Sequence, residues 1–167
     1  MKKALSYGIA LVSCAAGITV ASPPDGVTPA LLAQATYPEF KVDSNKQVGV
    51  DFRATAKTKG DPKEALDVVV REHTYQPNST TGWHGHPGPV FVTVVEGTLT
   101  FYEYDDPTCT PITVTAPGGY VDDGHGHVAR NEDPVNPARD ISVIIAPPGG
   151  PFRTDEGFTA PNAYCGF

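Results

Sequence analysis

Basic residues are scarce: 12 Lys and Arg stand against 19 Asp and Glu, a formal charge of −7. A surface of that sign repels phosphate, so neither nucleic acid nor an anionic membrane face is an expected partner. Cysteine occurs only three times and forms no Cys-x-x-Cys pair, which leaves a redox motif or zinc knuckle unsupported. Internal repeats and low-complexity tracts are missing, and 167 residues leave no room for a second domain beside one with a real core. Glycine and proline, by contrast, are abundant, seventeen of each in a chain that is 40% hydrophobic. Turn formers at that density imply short elements, and strands rather than helices.

The one long uncharged run, Ala4 to Ala21, follows Lys2 and Lys3 and ends in small residues, the order of parts of a secretory signal peptide. Ser6, Gly8, Ser13 and Gly17 make it a poor uncleaved membrane anchor. Two processing sites compete. Cleavage after Thr19-Val20-Ala21 leaves a chain beginning at Ser22, whereas Leu11-Val12-Ser13-Cys14 resembles the lipobox at which bacterial lipoproteins are cut and lipid-anchored through the cysteine. The first is preferred, because the second leaves a very short hydrophobic segment. Export to a periplasmic or extracellular, oxidising compartment leaves Cys109 and Cys165 in the mature chain. A disulfide between them is expected, tying the loop that begins at Asp105 to the extreme C-terminus; two unpaired thiols are the alternative.

The organisation read from the chain is a signal peptide over 1–21, an extended arm over 22–38 marked by Pro23, Pro24, Gly26 and Pro29, and a β-domain over 39–167. Eight strand-like runs are expected: Glu39 to Val42, Val48 to Ala54, Leu66 to Gln76, Val90 to Val95, Thr98 to Tyr104, Ile112 to Thr115, Tyr120 to Val121 and Ile141 to Ala146. Only Glu96-Gly97 separates the fourth from the fifth, so the spacing predicts a hairpin there. The polar stretch Lys57 to Glu64 reads as a solvated loop.

Four of the five histidines fall into two His-x-His pairs, His84-Gly85-His86 and His125-Gly126-His127. Residues two apart on a strand share a face, so each pair can aim two imidazoles at one point. Two such strands could share one ion, and imidazole suits Fe, Mn, Zn, Ni or Cu without choosing among these divalent transition metals. His84 and His86 are candidate ligands of the first pair, and His127, whose surroundings resemble a family motif, of the second. His125 stays open between fourth ligand, second-sphere donor and no role, since Gly124 and Gly126 leave the local strand direction undetermined. His73 stands alone in its strand and reads as an ordinary hydrogen-bonded side chain.

The segment Gly82 to Gly97, Gly-Trp-His-Gly-His-Pro-Gly-Pro-Val-Phe-Val-Thr-Val-Val-Glu-Gly, resembles the first motif of the cupin family, with Val90 in place of its usual glutamate ligand. Asp122 to Asn131 resembles the second motif, keeping glycine, histidine and asparagine at Gly124, His127 and Asn131 but replacing its proline by Asp122. The glycines that often open the two motifs are also missing, Asn78 and Ala116 standing there. Pro23 to Thr28, Trp83 to Val90 and Cys165 are similar more narrowly to a group of small exported bacterial single-domain cupins.

That resemblance implies an all-β, single-domain cupin, a double-stranded β-helix or jelly-roll barrel, preceded by a signal peptide and an extended arm. It does not imply one activity, because the fold hosts dioxygenases, isomerases, decarboxylases, storage proteins and sensory domains. Three histidines without a carboxylate are similar to the donor set of iron cupins that oxygenate thiols and diketones, so an Fe(II)-type dioxygenase for a small molecule is the enzyme expectation. A non-enzymatic metal- or ligand-binding barrel with a degenerate site is the alternative, and Val90 favours it. Homodimerisation follows by analogy with the family. No catalytic acid or base is nominated: Tyr75, Tyr102, Tyr104 and Tyr120 are expected mainly as core, Glu96 as a turn, Glu72 and Glu103 as exposed strand residues, and Trp83 as a pocket wall or a packing residue.

Overall fold

The computed structural model describes residues 23–43, 53–56, 58–59, 65–155, 157–158 and 164–167. The signal-peptide reading, Cys14 and residues 48–52 of the second expected strand lie outside them. Ten strands are present among the described residues: β1 Asp25–Tyr37, β2 Phe40–Asp43, β3 Arg53–Ala56, β4 Leu66–Thr80, β5 Val90–Glu96, β6 Thr98–Glu103, β7 Ile112–Thr115, β8 Gly118–Asp122, β9 His127–Arg130 and β10 Ala138–Ala146. No helix among the described residues is long and apolar enough to cross a membrane.

The strands run in the order β7-β6-β9-β4-β10-β5-β8, with β1 paired to β4 and β2–β3 a separate hairpin. β4 and β9 are joined only through Thr80 and Arg130, so the order divides into a larger layer, β1-β4-β10-β5-β8, and a smaller one, β7-β6-β9. At the far ends β7 and β8 approach each other, and the two layers curl into a nearly closed jelly-roll barrel. The stretch from Asp25 to Tyr37, within the region read as an arm, is extended and forms an antiparallel strand along nearly the whole of β4.

Alternation places the core. Along β5, Val90, Val92 and Val94 are buried while Phe91 and Thr93 are exposed; along β10, Ala138, Asp140, Ser142, Ile144 and Ala146 all point inward. These side chains meet Val69, Tyr75, Leu99, Phe101, Tyr120 and Ala129 inside the barrel.

The expected hairpin at Glu96-Gly97 is not formed. β5 pairs with β8 and β10, whereas β6 pairs with β7 and β9, so the chain at Gly97 turns a corner from one layer to the other. Gly97 has φ +70°, and a Cβ there would lie 2.8 Å from the carbonyl oxygen of Pro137. Glycine serves the corner by its positive φ and by that close approach to another loop, and the two-residue spacing alone cannot distinguish this from a hairpin. β9, which carries His127, had no recognisable strand pattern, being four residues long and bounded by glycine and by a polar loop.

Candidate metal centre

His84 and Gly85 bridge the barrel's mouth: His84 pairs with His127 and Gly85 with Thr154, through reciprocal backbone bonds of 2.8–3.0 Å. This bridge brings the two histidine motifs together. The ring centroids of His84 and His127 lie 4.5 Å apart, those of His84 and His86 4.8 Å, and those of His86 and His127 5.4 Å. One candidate ligand atom from each lies within 4.8 Å of the others, comparable with the span of about 4.2 Å between imidazole nitrogens on opposite sides of one ion.

The middle residue of each His-Gly-His has a steric reason. Phe158 sits behind both, and a Cβ would lie 2.8 Å from its ring at Gly85 and 2.0 Å at Gly126. Gly126 also has φ +86°. The glycines therefore admit an aromatic ring on the outside while His84, His86 and His127 face inward. Replacing Gly126 by alanine should destabilise the protein by about 3 kcal/mol, through left-handed backbone strain plus displacement of Phe158. Thermal unfolding of Gly126→Ala, with and without Phe158→Ala to relieve the clash, checks this; an unchanged midpoint would contradict it.

The imidazoles are oriented from behind. Nδ1 of His84 lies 2.9 Å from the carbonyl of Gly82, and Nδ1 of His86 lies 2.6 Å from that of Phe152. A carbonyl can only accept, so each Nδ1 carries the proton and each Nε2 keeps its lone pair. Nδ1 of His127 lies 3.3 Å from Oδ2 of the fully buried Asp122, in a contact whose direction falls short of a hydrogen bond. Burial and the neighbouring His127 lower His86 to about 4; burial, then the charges of His127 and Arg153, hold His84 well below the usual imidazole range. Burial pushes the carboxyl of Asp122 up, but the contact with His127 and the Gly124 N–H outweigh it and leave it below the ordinary value. Three pre-oriented imidazoles, two of them held neutral by their surroundings and the third backed by a buried carboxylate, fit a borderline transition metal.

His125 is not with them. It is 65% exposed, its Nδ1 3.2 Å from Asp123 and 3.8 Å from Asp105. Positive φ at both flanking glycines, +100° at Gly124 and +86° at Gly126, breaks the two-residue alternation, so His125 and His127 do not share a face. The fourth-ligand reading of His125 is therefore corrected to a surface position.

The three histidines open on a cavity of about 230 Å³. Val90, Val92, Phe101 and Ile144 form an apolar wall, with Val90 buried and inward. Facing them is a polar group that the sequence did not announce. Asp140, 1% exposed, accepts hydrogen bonds from Tyr75 Oη at 2.7 Å and Ser142 Oγ at 2.8 Å and lies 3.0 Å from Nδ1 of His73. His73, read as an ordinary strand residue, therefore lines the cavity. The available signal was Arg71, His73 and Tyr75 at two-residue spacing on one strand face.

Of the other acid–base candidates, Glu72 pairs with Arg139 at 2.7 Å and Glu96 with the same guanidinium at 3.4 Å. Glu103 instead accepts from Tyr120 Oη, and its carboxyl is raised by burial. Trp83 is a packing residue, fully buried, edge-on to Tyr104 and stacked on Phe167. Tyr102 packs in the same cluster. The disulfide Cys109–Cys165 is present and pins the C-terminal residues over it.

No family model matches the chain, and no curated protein matches it. Among solved structures it is similar to a polyketide cyclase from Streptomyces resistomycificus, at 22% identity over 58% of this chain and 65% of that one, TM-score 0.45. A cupin superfamily protein from Desulfitobacterium hafniense is similar at 10% identity over 73% and 79%, TM-score 0.45. A cupin-2 domain from Rhodospirillum rubrum is similar at 10% identity over 75% and 62%, TM-score 0.47. The chain spans just under two thirds of the cyclase's length. The chain folds as a two-layered jelly-roll barrel whose strands bring both histidine motifs to one point inside it.

Proposed function

We propose that the protein is exported and that its barrel holds a divalent transition metal on His84, His86 and His127, for use on a small organic molecule in the adjoining cavity. The observation that carries this is the orientation of the rings: His84 and His86 have Nδ1 committed to a carbonyl, and all three face one cavity. Such an ion, when bound, supplies Lewis-acid polarisation of a substrate oxygen or sulfur and, if it is iron, one-electron chemistry with dioxygen. An Fe(II)-type oxygenase is the enzyme this donor set suits best. The residues of the chain do the rest: Val90, Val92 and Phe101 exclude water, and Asp140 fixes Tyr75 and His73 against the same space. The disulfide is compatible with an exported protein.

Val90 in place of a carboxylate supports a second reading, a barrel that binds a metal or small ligand without turnover. Elemental analysis of the untagged protein beside His84→Ala and His127→Ala tests the shared part. One metal per chain is expected, lost in both variants. A protein that is empty as isolated and takes up none of Fe(II), Zn(II), Mn(II), Ni(II) or Cu(II) would sink both metal readings. If iron is found, oxygen uptake with thiol and diketone substrates separates the enzyme from the binder.

A further inference from the structure

The cavity holds more positive charge than its own acids neutralise. Arg71 lies on the inward face of β4, directly across from Ser142 of β10, and Arg153 reaches in from the C-terminal segment. Nε of Arg71 and Nη2 of Arg153 are both buried and make no hydrogen bond within the described protein. An unpaired buried guanidinium N–H is costly, so these two donors demand an acceptor. Asp140 does not serve: it is already bonded by Tyr75 and Ser142 and in contact with His73. Asp155 does not either, since it is exposed and meets only Nε of Arg153, at 2.7 Å, while Nη1 is spent on the carbonyl of Thr81 at 2.8 Å. Arg153 lines the same cavity as Arg71, Tyr75, His84 and His86.

We propose that the cavity selects small organic acids, the carboxylate being held by the free donors of Arg71 and Arg153 while the rest of the molecule lies against Val92, Phe101 and the histidines. Guanidinium groups are suited to carboxylate because they offer fixed, always charged donors. At about 230 Å³ the space is below the usual range for drug-sized ligands, so the acid is of metabolite size. The proposal rests on reading this cavity as a small-molecule site, but the anion grip belongs to the arginines and operates without a metal.

The test is calorimetric titration of the metal-free protein with 4-oxopentanoate and with 4-oxopentanamide, which match in size and differ in charge. The acid should bind at least about tenfold more tightly, the worth of a charged hydrogen bond, and the difference should vanish in Arg71→Gln and Arg153→Gln while Arg71→Lys and Arg153→Lys keep part of it. Equal affinity for the two probes, binding of neither, or an acid preference that survives both glutamine variants would overturn the proposal. The wild-type comparison stands even if a variant fails to fold. Metal content, measured separately, decides the metal reading: an acid preference in a protein that takes up no metal supports the anion site alone.

Discussion

The Cys109→Ser/Cys165→Ser variant is expected to lose about 4 kcal/mol of stability, the loop-closure entropy of a crosslink between residues with a sequence separation of 56. At a few degrees per kcal/mol for a domain of this size, the unfolding midpoint should fall by about 10 °C. In the folded state the crosslink also holds the C-terminal tail in place. Phe167 stacks on Trp83 with centroids 6.0 Å apart, Arg130 lies 4.3 Å above the Phe167 ring, and the Trp83 indole donates to the Phe167 carbonyl. Trp83 directly precedes His84, and it is the chain's single tryptophan. Releasing the C-terminus should therefore expose it, and its emission should shift to longer wavelength before global unfolding. An unchanged midpoint and an unchanged emission maximum would show that the crosslink constrains neither the unfolded chain nor the tail.

Acidifying the metal-free protein from pH 7 towards pH 4 should cost on the order of 3 kcal/mol through His86 alone, with a further loss through His84. Both imidazoles have folded-state values below the unfolded value of 6.5, so between that pH and about 4 the unfolded chain binds more protons than the folded one. Stability therefore rises with pH across this window, is complete above 6.5, and is lost as the pH falls. Asp67 and Asp122, whose carboxyls are lowered, act in the same direction at more acid pH; Glu103, whose carboxyl is raised by burial, opposes them. Denaturant unfolding at pH 7, 5.5 and 4.5 reads the slope. His86→Gln should flatten it, and a slope equal in wild type and variant would refute the assignment to His86.

Asp140 shows what a local reading of this chain misses. It stands at the margin of an expected strand with nothing beside it to suggest a role, and its partners His73 and Tyr75 are 67 and 65 positions away. They meet because β4 and β10 pair in a register that sets Asp140 opposite His73 and Ser142 opposite Arg71. The corner at Gly97 shows the same limit from another side, since a glycine between two strands serves a hairpin and a layer switch equally well.

What the amino-acid sequence determined by itself was local and periodic: short β-branched runs separated by glycine and proline make an all-β domain, and His-x-His spacing places two imidazoles on one side of an extended segment. That periodicity does not tell His125 from His127; the motif resemblance favours His127, and the tertiary structure supplies the reason. His127 joins His84 and His86 through a backbone bridge across the barrel, and His125 is turned out to Asp123 by the positive φ of the glycines on either side of it. Strand periodicity is set by the geometry of neighbouring residues, whereas the register between distant strands is chosen by how the whole barrel packs, and the site is made by that register.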